Sequence, residues 1–219
     1  MKRTPELEHP AIRSPWSNQE RETVMTVQRH THPALHTEFA SMPGHMITAT
    51  AAKALAALRI GAGFIFLWAF LDKTFGLHYA TPSAKAWIHG GSPTKGFLAS
   101  VDVGPFQSMF HSMAGTWWAN SLFMLALLGI GVALTAGVAM RIAASSGVLL
   151  VACMWLATFP LAQLTSAGEP TGSNNPIVDD HVLEGLVLIV LALTYAGTTW
   201  GLGRRWARIP FVTKHRWAL

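Results

Sequence analysis

Apolar residues come along this chain in four long runs separated by polar stretches of very unequal length. The runs cover about 54–72 (ALAALRIGAGFIFLWAFLD), 117–139 (WWANSLFMLALLGIGVALTAGVA), 142–164 (IAASSGVLLVACMWLATFPLAQL) and 180–202. Each is close to the roughly 20 residues that an α-helix needs to cross a bilayer. Only Met140 and Arg141 lie between the second and third runs, so these two predict a tight antiparallel hairpin. Small residues (Gly61, Gly63, Gly129, Gly131, Gly137, Ala143, Ser145, Ser146, Gly147) are placed to let helix backbones approach closely. Pro160 predicts a kink near the end of the third run. The pattern as a whole predicts an all-α membrane protein, a bundle of four transmembrane helices.

The polar stretches differ in kind. Residues 1–50 are rich in Pro, Thr, His and charge without sustained periodicity and read as a disordered, basic and His-rich tail. Met25, Met42 and Met46 are alternative starts within it. His30, His32 and His36 read as a solvated histidine-rich stretch more readily than as a metal site. The membrane domain covers about 51–210, and 211–219 form a short basic C-terminal tail. The stretch 73–116 is too long for a simple connector. Its pieces Thr94–Ser100 and Pro105–Met113 predict short interfacial helices that make a lid over one mouth of the bundle. Trp87, Trp117 and Trp118 suit the water–lipid boundary.

Composition agrees with this layout. Hydrophobic residues make up 51% and charged residues 12%, where a soluble domain carries about 25% charge. The mean hydropathy is +0.33. The net charge of +5 alone would suggest nucleic acid. The basic residues sit in the tails and beside the apolar runs, however, which is the distribution of a membrane protein, and no nucleic-acid partner is expected. With four spans, the basic tails, Lys53, Arg59 and Arg141 fall on one side, while the opposite loops hold only Lys73, Lys85 and Lys95. Both termini are therefore expected in the cytoplasm of a multi-pass cell-membrane protein. Arg59, near the inner end of the first span, is expected to snorkel to that surface. Cys153 stands alone, which excludes an intrachain disulfide and a cysteine-rich metal or iron–sulfur site; it reads as inert packing.

The titratable groups outside the tails concentrate at the opposite, outer mouth: Asp72, Lys73, His78, His89, Asp102, His111, Asp179, Asp180, His181 and Glu184. Asp179 and Asp180 suit a helix N-terminus. Glu184 lies one turn deeper and shares a face with Asp180 and His181. A carboxylate at that depth has to face a protein or water-filled interior, pair with a cation or carry a proton. Two readings stay open, a proton donor and acceptor or a structural hydrogen bond across the bundle. His181 reads as a proton shuttle or a fixed donor ahead of a metal ligand, which would need help from His78, His89, His111 or the acids, and no metal site is expected. At the end of the first span, Trp68, Asp72 and Lys73 either mark the helix end or form a ring-stacking and anion-attracting patch.

The segments LRIGAGFIFLWAFLDKTFGLHYATPSAKAWIHGGSPTKGFLA and NNPIVDDHVLEGLVLIVLALTYAGTTWGLGRRW resemble the DoxX/DoxD family of four-helix membrane proteins in its actinobacterial form, over about residues 53–210. The phrases FLDKTFGL, GGSPTKGFL and TWGLGRRW carry the resemblance. It implies a membrane subunit linked to thiosulfate:quinone oxidoreductase, with quinone as electron acceptor, no covalently bound cofactor, and a soluble redox or sulfur-transfer partner. It carries over Asp72, Lys73, Asp179, Asp180 and His181 as site positions; Glu184 is added from the residue pattern alone. In that reading His181, Glu184 and Asp180 are catalytic, while Asp72, Lys73, Trp68, His78 and Asp179 bind substrate or quinone. No flavin, haem or iron–sulfur motif is present in the sequence, so the electron carrier would sit on a partner. The competing expectation is a non-catalytic scaffold that docks a redox or sulfur-handling enzyme to the membrane. Whether the chain is catalytic, and whether it forms a homo-oligomer, stay open.

Overall fold

In the computed structural model, residues 48–219 are described; the tail of 1–47, with its histidines and alternative starts, lies outside the described residues. Four helices form the body: α1 (Ala49–Phe75), α4 (Trp117–Ala136), α5 (Met140–Thr158) and α6 (Asp180–Leu193). Two short helices, α2 (Lys95–Ala99) and α3 (Gln107–Met113), occupy the stretch expected to form a lid. The most extensive packing joins α1 to α4 and α5 to α6, and α4 with α5 ties the two pairs together. No strand is present among the described residues.

Local chemistry explains where the helices begin and end. Thr48 caps α1, its hydroxyl accepting from the Ala51 amide at 3.2 Å. Gly76 ends it in the left-handed region at φ 67°, where its N–H reaches the Asp72 carbonyl. The helix thus starts inside the segment read as tail and runs 27 residues, roughly 40 Å at 1.5 Å per residue. α4 ends at Gly137, and the turn of 137–139 passes directly into α5, so the expected hairpin is present. α5 stops at Thr158, six residues short of the expected span, because Phe159 turns left-handed at φ 43°. Pro160 therefore lies beyond the helix and kinks nothing.

Close approach is confined to some of the glycines that suggested it. A Cβ on Gly131 would lie 2.7 Å from the Leu67 amide nitrogen, and one on Gly63 would lie 2.7 Å from that of Thr135. One on Gly147 would meet the Leu188 side chain at 2.5 Å. Gly61 and Gly129 face open space. The core between the helices holds Phe66, Met124, Leu127, Leu134, Leu188 and Leu191. The outward faces are equally apolar, with Ile65, Leu122, Leu125, Leu149 and Leu193 all exposed. A helix that is apolar on every side belongs in lipid or a large core. Three helices, α1, α4 and α5, are long and apolar enough to cross a membrane. α6 has 14 residues, about 21 Å at 1.5 Å per residue, and ends nine residues before its expected limit at 202.

The chain leaves the helix where Tyr195 turns left-handed at φ 51°, and the unwound residues beyond it meet Arg59. That arginine is fully buried rather than snorkelling. One guanidinium nitrogen, Nη1, donates to the carbonyls of Leu134 and Thr135, the latter at 2.9 Å. The other, Nη2, donates to the carbonyls of Trp200 at 3.0 Å and Thr199 at 3.4 Å. The last carbonyls of a helix have no partner within it; Arg59 reaches those of Leu134 and Thr135 at the end of α4 and two of the unwound chain after α6, while the Leu202 amide takes that of Ala136 at 2.8 Å. A cation placed there also complements the negative end of the α4 dipole. A Cβ on Gly201 would lie 3.1 Å from Arg59 Nη2, and those on Gly197 and Gly203 would meet the backbone of Gly137 and Gly197, so these glycines let the chain close against the end of α4.

The C-terminal residues are folded rather than a simple tail. α7 (Gly203–Trp206) and α8 (Pro210–Lys214) return the chain to the start of α5, where the Arg141 N–H donates to the Leu219 carbonyl at 2.8 Å. Cys153 lies on the exposed face of α5, so it does not pack in the bundle interior.

Candidate functional site

The end of the bundle formed by the C-termini of α1 and α5 and the N-termini of α4 and α6 is the one we call outer. All acidic residues of the described segment belong to it: Asp72, Asp102, Glu169, Asp179, Asp180 and Glu184.

The first turn of α6 supplies the most organised polar group. Asp179 is the N-cap, with one carboxylate oxygen accepting from the Val182 amide at 3.1 Å and the other bonded to His181 Nδ1 at 2.8 Å. This is the one ion-pair geometry among the described residues. Partial burial works to raise the Asp179 carboxyl, but the His181 ring and the Val182 amide outweigh it and hold the group below the ordinary carboxylate value. Nδ1 is committed to Asp179, so a neutral His181 that donates there keeps Nε2 as a free acceptor. Asp180 is exposed in the first turn, where the helix dipole favours it. Glu184, one turn deeper, has a buried Oε1 with no hydrogen-bond partner among the described residues. The structural alternative for Glu184, a hydrogen bond across the bundle, is not made by that atom.

The second expected patch is differently employed. Asp72 is buried, and its carboxylate accepts from the amides of Tyr79 at 3.2 Å and Ala80 at 3.1 Å. It thereby fixes the turn that follows α1. Trp68 packs edge-on against the Tyr79 ring at 5.1 Å. His78 sits exposed in this turn with φ 67°. Lys73 is half-buried beside Asp72. No hydrogen bond or ion pair joins the patch of Trp68, Asp72, Lys73 and His78 to that of Asp179, His181 and Glu184 among the described residues. Nor does any group of three His, Cys, Asp or Glu among them have the arrangement of a metal site.

Two anchors of the lid were not among the expected site residues. Asn120, buried in the first turn of α4, accepts at its side-chain oxygen from Ser92 Oγ (3.0 Å), the Thr94 amide (3.1 Å) and Thr94 Oγ1 (2.7 Å). An amide in an otherwise apolar run is a signal that it has a partner in another segment. Asp102 accepts from the Ser166 amide at 2.7 Å and the Ser166 hydroxyl at 2.5 Å, which holds the lid to the loop after α5. Those two bonds keep the Asp102 carboxyl below its ordinary value. Beneath the lid, Phe110 and Val101 pack with Ala157 of α5. The expected short helices are present, tied down by polar contacts at both ends.

Comparison of the chain with protein-family models, with curated proteins and with solved structures gives no match.

Proposed function

We propose that the chain is a membrane subunit of a quinone-linked oxidoreductase, with its proton-handling group at the N-terminus of α6. The observation that carries this reading is the unpartnered Oε1 of Glu184, three residues from a histidine that Asp179 orients. A quinone reduced by two electrons takes up two protons. Glu184 and His181 would exchange them, the ring through Nε2 and the carboxyl through Oε1. Asp179 would position His181 rather than react. Small sulfur anions such as thiosulfate are the reductant class suggested by the DoxX/DoxD resemblance, with the electron carrier on a soluble partner. In this reading α6 and the unwound residues after it make the fourth crossing, and both termini are cytoplasmic.

The test is purified protein in lipid given thiosulfate and a soluble quinone analogue. Glu184→Gln and His181→Ala are expected to lower turnover by roughly 10²–10⁴-fold, the range of general acid–base catalysis. Absence of both turnover and quinone binding in the wild type sinks the catalytic reading. A reporter fused after Leu219 checks sidedness.

A specific observation supports a second reading, a scaffold that docks a redox or sulfur-handling enzyme. Asp72, Asp102 and Asn120 all hold loop backbone in place, which makes the outer surface a fixed platform. A stoichiometric soluble redox protein that co-purifies, with no turnover by the chain alone, selects this reading.

A further inference from the structure

The inner end holds a cleft that the proposed redox role does not use. Arg141, in the first turn of α5, donates through Nη1 to the Arg216 carbonyl at 3.1 Å and through Nη2 to the Tyr195 hydroxyl at 2.9 Å. A guanidinium has five N–H donors, so most of its donor capacity is left over. Beside it, α5 and the returning C-terminal chain enclose an open cleft of about 440 Å³ lined by Arg141, Ile142, Ser145, Ser146 and Trp217. Ser145 and Ser146 are exposed, and neither hydroxyl has a hydrogen-bond partner among the described residues. Trp217 is 58% exposed.

The surroundings select the ligand. Arg204, Arg205, Arg208, Lys214 and Arg216 are exposed around this end, and no acidic side chain occurs after Glu184. In the other direction the cleft opens onto an apolar strip: Leu149, Ala152 and Cys153 are exposed on the turns of α5 that follow Ser145. A site with a cation, hydroxyl donors and an indole at one end and a lipid-facing apolar strip at the other matches an amphiphile with an anionic head. Exposed Phe211 and Ile209 on the same basic segment fit a surface that lies at a membrane interface.

We propose that this cleft binds the phosphodiester headgroup of an anionic phospholipid, with Arg141, Ser145 and Ser146 on the phosphate and the acyl chains along α5. The proposal requires only that the chain sits in a bilayer and is independent of any redox role.

The full chain in detergent, with phosphatidylglycerol or phosphatidylcholine added, tests it by native mass spectrometry and by the thermal midpoint. Phosphatidylglycerol is expected to be retained preferentially and to raise the midpoint further. Ser145→Asp places a carboxylate against the phosphate and is expected to cut that preference roughly fivefold, the effect of removing about one cation's attraction; Ser145→Asn should keep it. Lys214→Gln, on an exposed side chain, is expected to weaken the preference without lowering the lipid-free midpoint. Equal retention of the two lipids overturns the proposal, as does an undiminished preference in Ser145→Asp. Stabilisation by inorganic phosphate equal to that by phosphatidylglycerol also overturns it, because a lipid would then be unnecessary. Loss of the preference with redox turnover intact separates this site from the outer one.

Discussion

The two ends of the bundle secure irregular backbone with opposite chemistry. At the outer end acceptor side chains capture loop amides: Asp72 takes those of Tyr79 and Ala80, Asn120 that of Thr94 and Asp102 that of Ser166. At the inner end a donor captures carbonyls, Arg59 bridging the last turn of α4 and the chain after α6. The outer ties are several, each serving one loop. The inner tie centres on one buried cation that joins two segments, beside the Leu202 amide on the Ala136 carbonyl and Arg141 on that of Arg216. A carboxylate can take up a proton and release its loop, whereas a guanidinium stays charged at every accessible pH. The outer end is thus built to respond to conditions, and the inner end to stay fixed.

The largest break in this comparison is expected from Arg59→Met. It leaves the carbonyls of Thr135, Thr199 and Trp200 without their donor, while that of Leu134 keeps the Gly137 amide, and a loss of about 1–3 kcal/mol is expected for each of these carbonyls that stays buried. Thermal unfolding in detergent reads it, and an unchanged midpoint would show that Arg59 is not the inner tie. Gly137→Ala comes next. The added Cβ would lie 2.9 Å from Arg59 Nη1 at a backbone φ of 73°, and strain of about 1–3 kcal/mol is expected. The same substitution at Gly129, which faces open space, should be neutral or slightly stabilising, and the pair together isolates crowding from helix propensity.

A comparable but local effect is expected at the outer end. Asp72→Ala orphans the amides of Tyr79 and Ala80, for a loss of about 1–3 kcal/mol. Hydrogen exchange should accelerate at 79 and 80 and stay unchanged at 199–202. Acceleration at both ends would show that the two sets of ties are one unit.

The smallest effect is that of pH, and it tests the contrast most directly. Asp102 and Asp179 both have folded values below the ordinary carboxylate value. A depressed folded value means that the carboxylate contributes stability above its unfolded value, about 3.9. That contribution is lost as pH falls through the folded value. Between roughly pH 4 and pH 2 the lid and the start of α6 should loosen first. The inner end, without an acidic side chain after Glu184, should hold. Site-resolved exchange at pH 3 and pH 6 measures this; simultaneous opening of both ends would contradict it.

Much of the architecture was legible because it rests on local pattern. The three long apolar runs became helices, Asp179 became a cap, and the two lid pieces became short helices near the expected bounds. Candidate-site chemistry was legible only where neighbours in sequence are neighbours in space, as in Asp179, His181 and Glu184 within the first two turns of α6. Asp72 and Trp68 were readable as residues of interest but not as the holders of Tyr79 and Ala80. A carboxylate near a helix end can serve solvent, a cation or a loop, and the choice depends on how the next seven residues bend.

By itself, then, the sequence determined an apolar helical body, its lid and the segregation of acids to one end from basic residues at the other. Tertiary structure alone decided the fate of Arg59, the early end of α6 and the folding of the C-terminal chain against Arg141. The physical reason is the same in each case. Helix formation answers to periodicity and to caps within a few residues, whereas a long donor side chain goes to whichever buried carbonyls lack a partner. Those of Arg59 lie 75 and 141 residues away along the chain, and no local pattern records them.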